Sequence, residues 1–329
     1  MATKRTILVS KHVWGIQHEE LNTNAITMNH CVSTVLLCTV LLCTLLLGCA
    51  ATAQPGGTKR PADADAAPGL LWRITGEGLA APSYLYGTIH AVCADELVVN
   101  DATKRAFEAT GRVALEIDLD DPATMMTIQQ RMATPGGEKM ADVLSADDYA
   151  FVKAFFADSL GVNLDQVQQM PPMMLTSMVF PKLLDCTPQA YEMVFMSMAR
   201  AAEKEIVGVE TAADQMDAVA SVPYAEQAKM LVEMVRNYEE SRAQMRALVT
   251  AYHTGNLRPV YQMMMETMPN AEAFEEVFLI QRNRNWIPVI GRMAREEPTF
   301  FAVGALHLGG ETGVIRLLRE AGYTVEVMQ

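Results

Sequence analysis

Two stretches decide the fold of this chain: Ser83-Tyr84-Leu85-Tyr86-Gly87-Thr88-Ile89-His90 near the start of the globular part, and Thr299-Phe300-Phe301-Ala302-Val303-Gly304-Ala305-Leu306-His307 near its end. Each is an apolar, strand-like run that closes on Gly-x-x-His. A third match, Gly15-Ile16-Gln17-His18, has no strand pattern around it, so the spacing alone is weak evidence. A strand that ends in an imidazole, with a glycine three positions earlier leaving room beside the backbone, is typical of a ligand or a general base in a cleft.

The composition predicts a folded, acidic protein. Half of the 329 residues are apolar and 20% are charged, which gives ample material for a core. Without its first 49 residues the chain has 23 basic and 37 acidic residues, a net charge of −14. This charge disfavours nucleic acid as a partner.

Residues 1–49 are predicted to be a signal peptide with a lipobox. The uncharged run Val32–Leu47 is 16 residues long, shorter than the roughly 17 to 25 residues of a spanning helix and suited to secretion. It ends in Leu46-Leu47-Gly48-Cys49, so the thiol of Cys49 would be lipidated and would anchor the protein to a membrane.

Two alternatives to this leader stay open. Cleavage after Ala51-Thr52-Ala53 would release a soluble protein, and translation could begin at Met28. Residues 50–69 are rich in Ala, Gly, Pro and Thr and are predicted to be a flexible tether.

Four of the six cysteines lie in the predicted leader, which leaves Cys93 and Cys186. In an exported chain, two remaining cysteines most simply form a disulfide. This bond would join the loop after His90 to a helical insert and brace one wall of a cleft. Two buried free thiols are the alternative.

Residues 70–329 are predicted to form a single α/β or α+β domain, with a central mixed sheet and a large helical insert. The pattern indicates an initial hairpin at Leu71–Ile74 and Ser83–His90, strands at Arg112–Leu119 and Glu205–Glu210, and a final strand-helix-strand unit from Thr299 to Val327. From Pro122 to Lys204 the pattern is helical throughout, with Pro188 at a first helical position.

Two glutamates are candidates for the chemistry of a site. Strand-like alternation places Glu116, Asp118 and Asp120 on one face. A solvated edge explains the aspartates, but Glu116 is expected in mid-strand, where a buried carboxylate needs a metal or an arginine as a partner. Glu210 ends another β-rich run, although an acid in the first turn of a helix explains it equally well.

The carboxyl ends of strands form the usual site of open α/β sheets, so His90, His307 and Glu210 are expected there together. Two imidazoles with one or two carboxylates make a divalent-metal set, and water of lowered pKa at such an ion is a nucleophile at neutral pH. His253, on a helix near Gly255, is predicted to be a surface residue or a cation at the helix end.

Arg282 and Trp286 share one face of a long helix. An arginine directed into the cleft could hold a substrate carboxylate or stabilise an oxyanion, and a basic helical patch with a tryptophan anchor is the equal alternative. The chain has 23 methionines, whose thioether groups can bind copper. Most of them lie among Leu, Val and Phe in helical segments, where methionine is an ordinary residue of the hydrophobic core.

Taken together, these residues resemble the TraB/GumN family, which belongs to one superfamily with the Tiki metalloproteases, the erythromycin-esterase-like enzymes and the haem-binding ChaN lipoproteins. The resemblance covers nearly the whole domain. It rests on five ordered motifs: Tyr84–His90, Leu115–Asp118, Gly208–Thr211 followed by Gln215, Arg282–Trp286 and Val303–His307. Val209 replaces the leucine of the third motif, which is a conservative change in volume.

The resemblance implies a metal-dependent hydrolase, with peptide-bond cleavage attributed to the Tiki branch. It implies that His90, His307, Glu116 and Glu210 bind a divalent metal ion or act as the general base. The expected ion is Mn, Co or Zn, and the resemblance does not say which. Arg282 and Asn283 are implied to contact the substrate or the transition state.

The expected protein is therefore an exported hydrolase of peptides or of a related amide or ester, held at the cell envelope by a lipid anchor. A non-catalytic metal- or haem-binding lipoprotein is the alternative, and haem would need a large apolar pocket with His or Tyr axial ligands. Hydrolysis needs instead a compact polar site with a carboxylate in hydrogen-bond reach of the nucleophilic water.

Overall fold

The computed structural model describes residues 68–133, 136–267 and 270–328. The predicted signal peptide 1–49, with Cys49, lies outside these residues, as does the predicted tether 50–69 apart from Pro68 and Gly69. Among the described residues, no helix is long and apolar enough to cross a membrane.

A six-stranded mixed sheet forms the centre of the fold and confirms the predicted α/β class. The strands of the structure are β1 (Leu71–Thr75), β2 (Ser83–Thr88), β3 (Val92–Cys93), β4 (Arg112–Leu115), β5 (Pro188–Gln189), β6 (Glu205–Gly208), β7 (Thr299–Gly304) and β8 (Thr324–Val327). The central sheet has the order β6-β4-β7-β2-β1-β8. In it, β6, β4, β7 and β2 are mutually parallel, and β1 is antiparallel to both of its neighbours.

Helices cover the sheet and fill the long connections between its strands. They are α1 (Asp101–Glu108), α2 (Pro122–Arg131), α3 (Met140–Val143), α4 (Ala146–Phe155), α5 (Leu164–Val167), α6 (Pro172–Val179), α7 (Tyr191–Ala201), α8 (Ala212–Ser221), α9 (Tyr224–Arg236), α10 (Tyr238–His253), α11 (Arg258–Thr267), α12 (Ala271–Glu275), α13 (Gln281–Glu296) and α14 (Val314–Glu320). Short π-helical turns at Phe156–Leu160 and Glu276–Ile280 extend α4 and lead into α13, and 3-10 turns lie at Phe180–Leu183 and Ala305–His307.

The two Gly-x-x-His strands lie side by side at the centre of the sheet. β2 and β7 pair in parallel, from Tyr84 opposite Phe300 to Thr88 opposite Gly304. Every residue of β7 is buried, as expected for a parallel strand covered on both faces. Successive side chains of β7 point to opposite faces of the sheet: Phe300 packs on Phe195 of α7, and Phe301 joins the hydrophobic core cluster on the other face.

The predicted helical insert runs from α2 to α7, but β5 interrupts it. Pro188 was expected to begin a helix, and this prediction is wrong: Pro188 lies in β5, opposite Cys93 of β3, and α7 begins only at Tyr191. Proline fits this short two-stranded ladder, because its missing N–H is tolerated in an edge strand. The same ladder contains the Cys93–Cys186 disulfide, whose Cα atoms are 5.5 Å apart.

Candidate functional site

Four parallel strands end at one edge of the sheet, and each is followed by a predicted site residue. His90 lies two residues after β2, Glu116 directly after β4, Glu210 two residues after β6, and His307 in the turn that follows β7. Parallel strands present their carboxyl ends at the same edge, so these residues lie close together. The side chains of all four are at most 6% exposed.

The strand that carries Glu116 is shorter than its alternation predicts. β4 ends at Leu115 rather than at Leu119, because the carboxylate of Asp118 accepts hydrogen bonds from the backbone N–H groups of Asp120 and Asp121 and forms a turn. Glu116 is therefore a strand-end residue and not a mid-strand one. Asp120 pairs with Arg200 at the surface.

The backbone holds Glu116 and Glu210 next to each other. Beyond the ends of β4 and β6, the N–H of Glu210 donates to the carbonyl of Glu116 at 3.0 Å. Gly208 permits this close approach, since an added Cβ would lie 2.7 Å from the backbone nitrogen of Asp118.

Arg282 of α13 binds both glutamates. Its Nη2 lies 2.6 Å from Glu116 Oε2 and 2.5 Å from Glu210 Oε1, and its Nε contacts both oxygens of Glu210 at 3.1 Å. The indole N–H of Trp286 donates to Glu210 Oε2 at 2.8 Å, and the amide of Gln215 donates to Glu116 Oε2 at 2.9 Å. Arg282 and Trp286 thus point into the site, which excludes the basic surface patch.

This network shifts the pKa values of the two carboxyl groups in opposite directions. Burial opposes the ionisation of Glu116, but Arg282, the two histidines and the N–H of Gly304 lower its pKa to about 2. Burial raises the pKa of Glu210 above its ordinary value, although Arg282 opposes that shift. Two carboxylates that share one guanidinium cannot both be fully compensated.

His307 is held in one tautomer. Its Nδ1 lies 2.6 Å from Asn283 Oδ1, and the amide N–H of Asn283 donates to the carbonyl of Thr312, which fixes the orientation of the amide. The proton therefore sits on Nδ1, and Nε2 carries a lone pair 3.3 Å from Arg282 Nη1. Burial and the charge of Arg282 lower the pKa of His307 to about 3, so the ring is neutral at physiological pH.

His90 has a different partner. Its Nδ1 lies 2.8 Å from Oε1 of Glu192, a fully buried residue of α7, and the hydroxyl of Thr88 donates to the same oxygen. Burial opposes protonation of His90, but the charge of Glu192 and its hydrogen bond, with Glu116 beyond, raise its pKa above the ordinary value.

The two motif glycines serve different purposes. A methyl group on Gly304 would lie 3.0 Å from Glu116 Oε1, 3.5 Å from His307 Cδ2 and 3.6 Å from His90 Nε2. Gly304 therefore leaves open the space that these three side chains face. A methyl group on Gly87 would instead meet Leu308 Cδ1 at 2.7 Å, so Gly87 lets the turn after β7 pack on β2.

Two cavities lie beside these residues. One of about 20 Å³ is lined by His90, Gly304 and His307 and has room for about one water molecule. The other, of about 150 Å³, is lined by Asn283 and Leu306 together with Tyr261, Glu275 and Leu279. The smaller cavity admits an ion but not a porphyrin.

The donor set fits a metal ion in part. Among the described residues, no three His, Cys, Asp or Glu side chains stand close enough to hold an ion as they are. His307 Nε2, for example, is 3.9 Å from Glu116 Oε1. Nevertheless, Asn283 holds His307 at Nδ1, and Glu192 Oε1 lies 2.8 Å from Nδ1 of His90; metal-ligating histidines usually have a polar partner in this place. Glu210, predicted as a fourth ligand, is engaged by Arg282 and Trp286.

The model of the TraB/PrgY/gumN family matches residues 70–327. This chain belongs to that family. Among curated relatives, Metalloprotease TIKI2 of Danio rerio is 22% identical over 320 residues, which cover 78% of this chain and 60% of that protein. Metalloprotease TIKI1 of Danio rerio is 23% identical over 315 residues, which cover 78% of this chain and 62% of that protein. Metalloprotease TIKI1 of Homo sapiens is 32% identical over 108 residues, 32% of this chain and 19% of that protein.

The chain thus spans less than two thirds of the length of these relatives. No solved structure matches it. Membership of the TraB/PrgY/gumN family confirms the resemblance that the five motifs indicate.

Glu192 and Thr88 are site residues that the sequence reasoning missed. A signal for Glu192 exists: it lies at helical spacing with Phe195, Met196 and Ala199, all buried on one stripe of α7. A charged residue on an apolar stripe needs a buried partner, so this pattern in α7 indicates a polar contact at Glu192.

Proposed function

We propose that this member of the TraB/PrgY/gumN family is a metal-dependent hydrolase that cleaves peptides or related amides and esters. The observation that carries the proposal is the arrangement around Gly304, where Glu116 Oε1, His90 Nε2 and the ring of His307 border one small space. The relatives named metalloproteases support the same class of reaction.

His90, His307 and Glu116 would hold a divalent ion, Mn, Co or Zn. Such an ion, when bound, polarises a carbonyl group and lowers the pKa of water. The buried charge favours it, because the carboxyl groups of Glu116 and Glu210 share the single guanidinium of Arg282. Uncompensated charge is costly in an interior, and a divalent cation would offset the excess.

Arg282 would stabilise negative charge that develops on a substrate carbonyl oxygen. Glu210 accepts hydrogen bonds from the guanidinium group, and the indole N–H of Trp286 donates to Glu210, so the charge of Arg282 is already in place before a substrate binds. Asn283 would act mainly by keeping the Nε2 lone pair of His307 directed to the site. The cavity of about 150 Å³ beside Asn283 and Leu306 would receive a substrate side chain.

Export and lipidation of Cys49 are part of the proposal. They are supported by the leader sequence and by the Cys93–Cys186 bond, which persists in oxidising compartments.

The proposal is tested by elemental analysis of the purified protein, followed by peptide-library cleavage with added Mn, Co or Zn. We expect about one metal ion per chain, lost in folded His90→Ala and His307→Ala variants together with cleavage. His253→Ala is the matched control, because His253 is an exposed histidine on α10, and it should keep both metal and activity. Folded wild-type protein that none of these metals loads would refute the proposal and favour a structural role.

A further inference from the structure

Glu192 is a carboxylate where the fold alone would favour an apolar residue. It is 0% exposed and lies on the stripe of α7 that packs into the core with Tyr191 and Phe195. Burial of a charged group is costly unless specific partners offset it. The role of Glu192 therefore depends on what its carboxyl group contacts.

The contacts of Glu192 all lead to the first Gly-x-x-His motif. Its Oε1 is 2.8 Å from His90 Nδ1, within ion-pair distance although the ring N–H is not aligned on it, and the same oxygen accepts a hydrogen bond from the hydroxyl of Thr88, the last residue of β2. On the opposite side of the His90 ring, Nε2 borders the space at Gly304.

We propose that Glu192 is a positioning residue that fixes His90 with its proton on Nδ1 and the lone pair of Nε2 directed to the ion. This inference rests on the proposed function, in which His90 is a ligand. A carboxylate behind a ligating imidazole orients the ring and makes it a stronger donor. At His307 the partner of Nδ1 is the neutral amide oxygen of Asn283 and not a carboxylate. The two histidines therefore differ in strength as electron donors to the ion.

The disulfide joins the segment after His90 to the segment before Glu192. Three residues after His90, Cys93 is bonded to Cys186, which lies six residues before Glu192. The β3–β5 ladder continues this connection, and the N–H of Ala94 donates to the carbonyl of Thr187 at 3.0 Å. The loop after His90 and the start of α7 are therefore joined by both backbone and covalent bonds close to the pair.

Two variants of the full protein test the role. Glu192→Gln keeps the shape and an acceptor oxygen, and Glu192→Leu removes the acceptor; Glu226→Gln, an exposed glutamate on α9, is the matched control. Zinc affinity, measured by competition with a chelator, should fall about 10- to 100-fold in Glu192→Leu, less in Glu192→Gln, and stay unchanged in the control. The metal-free Glu192→Leu variant should melt below the wild type, because His90 Nδ1 and the Thr88 hydroxyl lose their buried acceptor, whereas Glu192→Gln keeps an acceptor oxygen and should melt close to it.

The tautomer of His90 is read separately, from the ring ¹⁵N shifts of the metal-free protein at a pH where the imidazole is neutral. We expect the Nδ1–H form in the wild type and in Glu192→Gln, and the Nε2–H form in Glu192→Leu. Unchanged zinc affinity combined with a lower melting temperature would assign Glu192 a structural role and overturn the inference. If the wild type binds no metal, the proposed function fails; the tautomer still decides, since Nε2–H in the wild type contradicts positioning and a switch in Glu192→Leu supports it.

Discussion

Arg282 Nη2 lies 2.6 Å from Glu116 Oε2, and this buried ion pair forms the centre of the candidate site. The contact engages one carboxylate oxygen of Glu116, while Oε1 accepts from the N–H of Gly304 and faces the space between the histidines. Glu210 turns both oxygens to Arg282 and Trp286. Two glutamates that look equivalent in the sequence therefore have different surroundings.

Glu116→Gln and Glu210→Gln should separate metal binding from the support of Arg282. Metal affinity should fall in Glu116→Gln by more than the roughly 10- to 100-fold typical of a residue behind a ligand. Glu210→Gln should retain the metal but lose cleavage, because the guanidinium group is no longer held on that side. Chelator competition and kcat/KM measure the two effects, and loss of metal in both variants would contradict the distinction.

Removal of Arg282 should unfold the protein more easily. Arg282→Met leaves Glu116 and Glu210 buried without their shared cation, and breaking such a pair costs about 3–5 kcal/mol in free energy of unfolding. Urea denaturation of the metal-free protein measures this loss. Adding Glu210→Gln to Arg282→Met should recover part of the stability, because one uncompensated charge is removed. A single variant as stable as the wild type would show that the carboxyls are neutral.

The central strands could be predicted because strands buried on both faces are continuous apolar runs in the sequence. β2 and β7 are continuous apolar runs that end in a glycine and a polar residue, which is typical of parallel strands with their site at the carboxyl end. Both histidines were therefore identified correctly as edge residues. The five family motifs also predict the order of the site-bearing elements along the chain.

The partners of these residues could not be predicted, because they arise from packing between distant parts of the chain. Glu192 meets His90 across 102 positions of sequence, and only the buried stripe of α7 hints at it. Whether Arg282 contacts a substrate or two glutamates depends on how α13 packs on β4 and β6. The early end of β4 has a local cause, the turn at Asp118, that alternation alone conceals.

The stability of the metal-free protein should fall in acid to an extent that depends on Glu116. The folded state lowers the pKa of this carboxyl from 4.5 to about 2, so its contribution is complete above pH 4.5 and is lost as the pH falls toward about 2. The shift corresponds to about 3 kcal/mol. The difference in unfolding free energy between wild type and Glu116→Gln should therefore shrink from about pH 5 to about pH 3.

Urea unfolding across this range provides the measurement. His307, with its pKa lowered to about 3, gives a loss of the same sign below pH 6.5. Because both proteins contain His307, this loss largely cancels when their unfolding free energies are compared. A difference that stays constant with pH would mean that Glu116 has an ordinary pKa in the folded protein.

The two motif glycines should give opposite results when each is replaced by alanine. In Gly304→Ala the added methyl group meets side-chain atoms, Glu116 Oε1 at 3.0 Å and His90 Nε2 at 3.6 Å, which can shift slightly. We expect near-normal stability and loss of metal binding, because the methyl group occupies the space that the donors face. In Gly87→Ala the methyl group meets Leu308 Cδ1 at 2.7 Å and the backbone of Ala305 at 3.2 Å. Such overpacking costs about 1–3 kcal/mol, so thermal unfolding should shift while folded protein still binds metal. If Gly304→Ala keeps full metal affinity, the ion does not bind between Glu116 and the two histidines.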